Sequence, residues 1–359
     1  MKKYLLYSLF YGLMASGLAQ EAETPGKLTF GGYVETYYAF DVGRPADHNR
    51  PAFVYSHNRH NELSLNLGLI RSSYDASRVR ARLSLMAGDY ANANLAAEPG
   101  VLKNVFEAYA GAKLSKKQDL WVEAGIFPSH IGFESAIGKD CWNLTRSMMA
   151  DNSPYYESGA KLSWTSQSGE WFLSALWLNG WQRIRRVDGN QTPAFGTQAT
   201  FKPNGSITLN SSTFIGNDKP DSLRQMRYFH NLYGIFQLTP SLAATFGFDI
   251  GTEQTARGAD TYNIWYTPVL MLRLTPADKL TLSLRGEYYH DKAGVIIASG
   301  TPNGFQTFSY TLGLDYLFHP QAVWRIEGRG YSSQDPVFVR KGDPAAINAL
   351  FTTSLAVSF

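Results

Sequence analysis

The last nine residues, Phe351-Thr-Thr-Ser-Leu-Ala-Val-Ser-Phe359, alternate larger or apolar side chains with small or polar ones. Successive side chains of an extended strand point to opposite faces, so the odd-numbered residues share one face and the even-numbered residues share the other. An apolar face opposite a small, polar face is typical of a strand that meets lipid on one side and water on the other. Half-buried strands of soluble sandwiches also alternate, so the rest of the chain must decide between the two structures.

The same alternation recurs along the chain from Lys27 to Phe359. A period of two predicts strands and disfavours helices, because an apolar side chain at every second position would be spread around a helix. Pro203-Asn-Gly205 predicts that the segment Phe195 to Ile215 divides into two strands. Three runs are expected to present one apolar face each: Leu63, Leu65, Leu67 and Leu69; Leu280, Leu282 and Leu284; and the even-numbered residues from Phe308 to Phe318.

The connections between these segments alternate in length. Seven short polar turns, such as Ser115-Lys-Lys-Gln118 and Thr275-Pro-Ala-Asp278, alternate with eight longer segments. This alternation predicts an all-β protein, a transmembrane antiparallel β-barrel of about 16 strands (14–18 accepted) that forms one domain over residues 27–359. Such barrels place short turns in the periplasm and long loops outside, and closure leaves no unpaired strand edge in lipid.

The first residues predict export. Met1-Lys-Lys3 is followed by an apolar run to Leu18 and a small-residue exit at Ala19, which is typical of a signal peptide over residues 1–19. The alternative is a membrane-spanning helix, which needs roughly 20 apolar residues and a stop-transfer pattern. We therefore expect a cleavable signal peptide, a short periplasmic segment over residues 20–26, and a multi-pass barrel in the bacterial outer membrane.

The composition restricts the partners. The 33 basic and 30 acidic residues nearly balance and lack the clustered positive charge of a nucleic-acid-binding protein. The single cysteine, Cys141, excludes an internal disulfide framework. Aromatic residues make up 14% of the chain, and many lie at the ends of alternating segments, as in barrels that meet lipid at two interfaces. The expected partners are outer-membrane lipid, lipopolysaccharide and small hydrophilic solutes.

Charged residues alternate with the apolar positions of several strands, on the face opposite to lipid. Successive inward residues of one strand lie roughly 7 Å apart, so adjacent arginines repel unless carboxylates or water screen them. Because 16 to 18 strands leave an aqueous channel, these residues predict a water-filled, charge-lined pore. The alternative is a plugged barrel whose interior is a structural salt-bridge network. The predicted pore-lining residues are Arg78, Arg80, Arg82, Glu107, Lys113, Glu123, Arg285, Glu287, Arg325, Glu327 and Arg329.

The longest connection, Pro128 to Tyr155, contains apolar residues of its own, such as Ile131 and Trp142. A loop this long with apolar side chains usually packs against something. We expect it to fold into the barrel and narrow it, whereas the alternative is an outward loop that contacts lipopolysaccharide. The predicted constriction residues are His130, Glu134, Lys139, Asp140 and Arg146.

No enzymatic motif is present in the sequence. It contains no G-x-S-x-G nucleophile elbow, H-E-x-x-H zinc motif, phosphate-binding loop or dinucleotide fingerprint. His57 and His60, near His48, could share a metal, but two histidines three apart without a further ligand are usually solvated loop residues. We therefore expect no catalytic residues, no metal and no cofactor.

One stretch carries a resemblance to a known family. It consists of Gly125-Ile-Phe-Pro-Ser-His-Ile-Gly-Phe-Glu134, followed by Asn143, Arg146-Ser147 and Ser153-Pro-Tyr-Tyr-Glu-Ser-Gly159. With the strands around it, this stretch resembles the OmpL-like β-barrel porin family of Gram-negative bacteria, especially its Bacteroidetes-type members. The resemblance spans nearly the whole mature chain and implies diffusion of small hydrophilic solutes, without catalytic residues or a settled substrate.

The sequence therefore predicts a passive outer-membrane porin. A solute-specific channel for a sugar or an anion is the alternative within transport, with Trp and Tyr side chains binding the solute by stacking. A cell-surface adhesion barrel or an enzyme barrel is the alternative from a different class. Fold-level analogy with general porins points to a homotrimer.

Overall fold

The computed structural model describes residues 25–359, so the predicted signal peptide and most of the segment 20–26 lie outside the described residues. Sixteen antiparallel strands form a closed barrel, in which the first strand pairs with the last from Tyr33–Ser358 to Asp41–Leu350. This confirms the predicted fold class and strand number. The barrel strands are β1 (Lys27–Asp41), β2 (Leu63–Asp75), β3 (Val79–Ala87), β4 (Val105–Lys113), β5 (Asp119–Pro128), β6 (Tyr156–Thr165), β7 (Trp171–Leu178), β8 (Ala194–Asn204), β9 (Ile207–Gly216), β10 (Arg227–Gln237), β11 (Leu242–Gln254), β12 (Tyr262–Ala277), β13 (Leu280–Asp291), β14 (Phe305–His319), β15 (Ala322–Ser333) and β18 (Ile347–Ser358).

The connections carry the remaining elements. A two-stranded hairpin, β16 (Phe338–Arg340) and β17 (Asp343–Ala345), lies in the last long loop. The other loops contain α1 (Asp89–Asn94), α2 (Met148–Asp151) and short 3₁₀ turns at Gly100–Asn104, Gly138–Asp140 and Asp221–Leu223. Between residues 25 and 359, no helix is both long enough and apolar enough to cross a membrane.

Short and long connections alternate as predicted, so the barrel has a short-turn end and a long-loop end. The two-residue connections 205–206, 278–279 and 320–321 lie at the short-turn end, and the loops 42–62 and 129–155 begin at the long-loop end. Short turns face the periplasm in this class of barrel.

The C-terminal strand has the predicted faces. Phe351, Leu355 and Phe359 are exposed on the outside, whereas Thr352 and Ser354 are buried inside the barrel. The alternation seen in the sequence therefore separates a lipid-facing surface from a lumen-facing surface.

The leucines of β2 correct one expectation. Glu35 of β1 pairs with Leu67 and Thr36 pairs with Leu65, so a β-bulge inserts one extra residue, Asn66. The bulge reverses the alternation: Leu63 is 84% exposed, but Leu67 is fully buried on the inner side. The prediction that all four leucines of β2 share one lipid-facing side is therefore wrong.

Candidate functional site

The inner loop, which we define as residues 129–155, enters the lumen from the long-loop end and reaches the short-turn end. Near its start, Nε2 of His130 lies 2.8 Å from the carbonyl oxygen of Thr213 on β9. Further along, the backbone N–H of Lys139 donates to the hydroxyl of Tyr33 on β1 at 3.3 Å. Lys139 also lines a cavity with Gln321, a residue of a short turn. The loop therefore extends through the lumen.

The inner faces of β13, β14 and β15, which we call the anchor wall, hold this loop by its backbone. The guanidinium of Arg325 donates to three loop carbonyls, those of Gly138 at 2.7 Å, Cys141 at 3.0 Å and Trp142 at 3.1 Å. Its charge is balanced by the carboxylate of Asp315, whose oxygen lies 2.8 Å from Nε. Charged donors make stronger hydrogen bonds than neutral ones, so one side chain fixes three points between residues 138 and 142 of the loop.

Two further arginines of the anchor wall bind the middle of the loop in the same way. Arg285 donates to the carbonyl of Thr145 at 2.6 Å, and Arg329 donates to the carbonyl of Arg146 at 2.8 Å. Both guanidinium groups also pair with Glu287, at 3.1 Å and 2.6 Å respectively. The loop backbone thus takes the place of water around buried charges.

The glutamates of the anchor wall receive backbone N–H groups of the loop. Glu287 accepts from Met148 N at 2.6 Å, and Glu327 accepts from Thr145 N at 3.2 Å and from the Thr145 hydroxyl. The anchor wall therefore supplies both donors and acceptors to one segment of the loop. Five of the predicted pore-lining residues lie here, all of them buried: Arg285, Glu287, Arg325, Glu327 and Arg329. The prediction that they line an open pore is wrong, because the inner loop covers them.

Inside the loop, Arg146 and Glu134 stabilise its shape. The buried guanidinium of Arg146 donates to the carbonyls of Leu144 at 2.6 Å and Ser135 at 2.7 Å. Glu134 accepts from the backbone N–H of Ser147 at 3.1 Å. Burial raises the pKa of the Glu134 carboxyl above its ordinary value, although nearby Arg285 opposes the shift. These two predicted constriction residues are therefore internal to the folded loop.

His130 is also buried at the start of the loop. Its Nδ1 lies 2.8 Å from a carboxylate oxygen of Glu157 on β6. Burial lowers the pKa of His130 and the Glu157 carboxylate raises it; the carboxylate prevails, so the pKa lies above its ordinary value. Lys139 and Asp140, by contrast, are exposed at the loop tip and form a mutual ion pair at 3.0 Å.

The three histidines of the first long loop have separate partners. His57 lies 3.3 Å from a carboxylate oxygen of Glu35, His60 accepts from the backbone N–H of Asp41 at 2.9 Å, and His48 lies 2.8 Å from the carbonyl oxygen of His60. In the part of the chain that the structure describes, no group of three or more His, Cys, Asp or Glu residues could hold a metal ion.

The inner faces of β2 to β6, which we call the open wall, also carry ion pairs. Arg80 and Lys161 both pair with Glu123, at 2.8 Å and 2.9 Å, and Arg71 pairs with Glu107 at 3.4 Å. The exposed fractions of the cationic side chains are 39% for Arg71, 26% for Arg80 and 19% for Lys161, against 6% for Glu107 and 2% for Glu123. In these ion pairs the cationic side chains are therefore exposed to the lumen, and the carboxylates are covered by them.

Near the short-turn end, the carboxylates of the open wall are the more exposed partners, at 52% for Asp75 and 47% for Asp119, against 22% for Arg82 and 26% for Lys113. Arg82 pairs with Asp75 at 2.8 Å, and Lys113 pairs with Asp119 at 3.2 Å. Arg78 lies in the turn between β2 and β3 and is exposed there. The expectation that Arg78 belongs to the inner face of β3 is therefore wrong, because the strand begins at Val79.

Sequence reasoning missed two cations of the open wall. Lys161 is opposite Glu123 in the register of β5 and β6, so the alternation of β6 could have revealed it. Arg71 could not be found in this way, because the bulge at Asn66 turns it inward. Without that bulge, the pattern of leucines would place Arg71 in lipid.

Gly125, the first residue of the stretch that carries the family resemblance, has a backbone conformation that requires glycine. Its φ is +134°, and a Cβ there would lie 2.2 Å from the carbonyl oxygen of Ala108 on β4. Only glycine fits this close approach of two strands. The stretch therefore begins at a fixed backbone irregularity just before the inner loop.

A family model described as "Putative beta-barrel porin-2, OmpL-like" matches residues 27–359. The chain belongs to this family. It is an outer-membrane porin, and its architecture is that of a passive diffusion channel. The family resemblance stated from the sequence is thus confirmed. No curated protein matches the chain.

Solved structures of outer-membrane channels share the fold. OmpT of Vibrio cholerae, expressed in the outer membrane, aligns with a TM-score of 0.61 at 10% identity, covering 94% of this chain and 98% of that one. An anion-selective porin of Comamonas acidovorans aligns at 0.60 and 10% identity, covering 93% and 100%. The channel DcaP of Acinetobacter baumannii aligns at 0.59 and 9% identity, covering 93% and 98%. At these identities the similarity extends to the fold alone.

Proposed function

We propose that small hydrophilic solutes pass between the inner loop and the open wall of this porin, and that the wall favours anions. The observation that carries the proposal is the unequal exposure of the ion pairs deeper in the open wall, in which Arg71 and Arg80 face the lumen while Glu107 and Glu123 are nearly covered. Charges that line a narrow aqueous passage sort solutes by their sign.

The charge of the open wall supports the same preference. Five cations and four carboxylates pair with one another on this wall, and two of these carboxylates are buried; a fifth carboxylate, Glu157, is also buried and pairs with His130 of the inner loop. A cleft with low-dielectric walls concentrates such a field and raises the local concentration of counter-ions. The cations are Arg71, Arg80, Arg82, Lys113 and Lys161, and the carboxylates are Asp75, Glu107, Asp119 and Glu123.

The inner loop is the proposed constriction. Of the five predicted constriction residues, Lys139 and Asp140 are exposed at its tip. In this proposal they contact the passing solute, and the buried His130, Glu134 and Arg146 keep the loop in place.

Replacement of both Arg80 and Arg82 with serine tests the anion preference. In a planar bilayer with a KCl gradient, the reversal potential of the purified variant should shift towards cation preference, because two exposed positive charges are lost. Arg78→Ser is the matched control, since Arg78 is exposed in the turn outside the inner face. Unchanged reversal potentials in the double variant would reject the open wall as the selectivity element.

The absence of enzymatic activity belongs to the same proposal. The buried carboxylates and histidines of the lumen are engaged in ion pairs and loop contacts, such as His130 with Glu157. Incubation of the purified porin with peptide, ester and phospholipid substrates should give no product. A turnover that depended on His130 or Glu157 would contradict this part of the proposal.

A homotrimer in outer-membrane lipid is the proposed assembly. Its support is the similar fold of Vibrio cholerae OmpT in a trimer form, at a TM-score of 0.60 and 10% identity, together with the exposed apolar outer faces of the strands. Chemical cross-linking in outer-membrane vesicles should trap dimers and trimers. A monomer alone would reject the trimer and leave the single barrel as the conducting unit.

Export by a cleavable signal peptide remains a proposal from the sequence. The support is the cationic start, the apolar run and the small residues that end at Ala19. Mass spectrometry of the protein from outer membranes should find Gln20 as the first residue. A first residue within the apolar run would contradict the proposed cleavage site.

A further inference from the structure

Arg273 lies on the inner face of β12 at the short-turn end of the barrel. Its side chain lines a cavity of about 290 Å³ between the barrel wall and the tip of the inner loop. Trp142 of the inner loop and Thr281 of β13 line the same cavity, as does Lys279 of the turn between β12 and β13. The cavity is separate from the ion pairs of the open wall.

Arg273 differs from the other arginines of the inner surface. Among the described residues, no carboxylate lies within ion-pair distance of its guanidinium, and it makes no hydrogen bond to another residue. Its N–H groups are therefore available to a ligand. Every other arginine on the inner face of a barrel strand has a carboxylate within 3.4 Å: Arg71, Arg80, Arg82, Arg227, Arg285, Arg325 and Arg329.

Trp142 holds this guanidinium in place. The central carbon of the Arg273 guanidinium lies 4.6 Å from the centroid of the Trp142 ring. The backbone of Trp142 accepts a hydrogen bond from Arg325 at 3.1 Å, and its side chain packs against a buried cluster that contains Met149 and Met271. A cation over an indole face is stabilised there, and an arginine so placed can still offer two N–H groups to one oxyanion. The site is thus organised before a ligand arrives.

The remaining charges of the cavity leave a small positive excess. Lys139 pairs with Asp140 at 3.0 Å, and Arg325 pairs with Asp315 at 2.8 Å. That leaves three further charged lining residues: Arg273 and Lys279, which are basic, and Asp278, which is acidic. Apolar side chains complete the lining, namely Leu317, Pro320, Ala322 and Val323.

We propose that this cavity binds a small carboxylate with an apolar body, with Arg273 as the residue that receives the carboxylate. The planar guanidinium matches a planar carboxylate, and the apolar lining receives the rest of the ligand. A volume of about 290 Å³ limits the ligand to a small molecule. As a solute site in the lumen, the inference rests on the proposed anion-conducting function.

Isothermal titration calorimetry of the refolded porin with benzoate tests the site. Benzamide is the uncharged analogue, and inorganic phosphate is a tetrahedral anion for comparison. Benzoate should bind, and benzamide and phosphate should bind more weakly. Arg273→Gln should weaken benzoate binding by about tenfold or more, because the bidentate, charge-assisted contact is lost. Arg273→Lys should give an intermediate affinity, because it keeps the charge but loses the planar fork.

Arg224→Gln is the matched control, since it removes the same charge from an exposed loop at the other end of the barrel. Benzoate that failed to bind the wild-type porin, or that bound Arg273→Gln as tightly, would overturn the inference. Phosphate bound as tightly as benzoate would overturn the carboxylate class. The titration measures binding without conduction, so its failure is distinguishable from unchanged reversal potentials in the open-wall variants.

Discussion

The open wall and the anchor wall carry similar ion pairs in one lumen, separated by β1 and β18 on one side and by β7 to β12 on the other, but different groups face the two walls. On the open wall, Arg80 remains 26% exposed above a covered Glu123. On the anchor wall, Arg325 is buried and donates to three carbonyls of the inner loop. A charged side chain that points into a barrel therefore indicates a pore only where no loop supplies its hydrogen-bond partners.

Removal of the inner loop should have the largest effect, because it would turn the anchor wall into a second open wall. Deletion of residues 135–150 removes the loop segments that contact Arg325 and Arg285, and single-channel conductance should rise several-fold as water replaces the loop. Deletion of residues 340–343 in the hairpin of the last long loop is the control and should leave conductance unchanged. Equal conductance in the inner-loop deletion would show that the loop does not narrow the pore.

The same substitution on the two walls should separate their roles in stability. Arg325→Met leaves Asp315 without its ion-pair partner and three loop carbonyls without their donor, a loss on the order of 3–5 kcal/mol in the free energy of unfolding. Arg80→Met removes a partly exposed cation and leaves Glu123 paired with Lys161, so it should cost about 1 kcal/mol or less. Urea unfolding of the barrel in detergent, followed by tryptophan fluorescence, compares the two variants. Similar losses would contradict the distinction between the walls.

Neutralisation of one glutamate on each wall should have smaller, opposite consequences. Glu123→Gln frees Arg80 and Lys161 from their shared carboxylate, so anion preference should increase with little change in stability. Glu287→Gln removes the carboxylate that Arg285 and Arg329 share beneath the inner loop. The free energy of unfolding should therefore fall, and ion selectivity should change little. Reversal potentials and unfolding midpoints of both variants check this pair of outcomes. A selectivity change in Glu287→Gln larger than that in Glu123→Gln would show that the anchor wall, and not the open wall, sets the ion preference.

The smallest expected effect is a pH dependence of the free energy of unfolding that arises from a buried carboxyl of the inner loop. Burial raises the pKa of Asp151 in α2 from 3.8 to about 7, although Arg329 and Arg146 oppose the shift. A carboxyl whose pKa is raised by folding contributes stability that is complete below its unfolded pKa and is lost as the pH rises through its folded pKa. The wild-type porin should therefore lose stability between about pH 4 and pH 7, by a few kcal/mol at most.

Asp151→Asn tests this pH dependence. The apparent melting temperature of the variant, measured by circular dichroism in detergent, should fall less from acidic to neutral pH than that of the wild type. Asp260→Asn is the control, because Asp260 is exposed in a long loop. The same pH dependence in Asp151→Asn and wild type would contradict the assignment to this carboxyl.

The sequence predicts what local periodicity determines. The alternation from Phe351 to Phe359 predicts one strand and both its faces, since each side chain's direction follows from its position in the strand. The bulge at Asn66 escapes this reasoning, because it depends on the register with β1. The sequence therefore gives no warning that Leu67 and Arg71 turn inward.

Local sequence patterns also do not predict the division of the lumen into an open wall and an anchor wall. Arg325 meets the carbonyl of Gly138 across 187 positions of the chain. Alternation predicts that Arg325 points inward, but it does not predict which backbone covers it. The length and apolar residues of the segment from Pro128 to Tyr155 do predict a packed loop, but not the wall against which it packs.

The open wall should be accessible to a water-soluble thiol reagent, and the anchor wall should be shielded from it by the inner loop. In a Cys141→Ser background, Ser73→Cys places a thiol on the open wall and Ser283→Cys places one on the anchor wall, where Ser283 is buried against Asn143. An anionic, sulfonate-bearing methanethiosulfonate reagent is added to each channel in a planar bilayer. The current and the anion preference of the Ser73→Cys channel should fall, whereas the Ser283→Cys channel should be unaffected. Prompt modification of Ser283→Cys with no effect on Ser73→Cys would contradict this prediction.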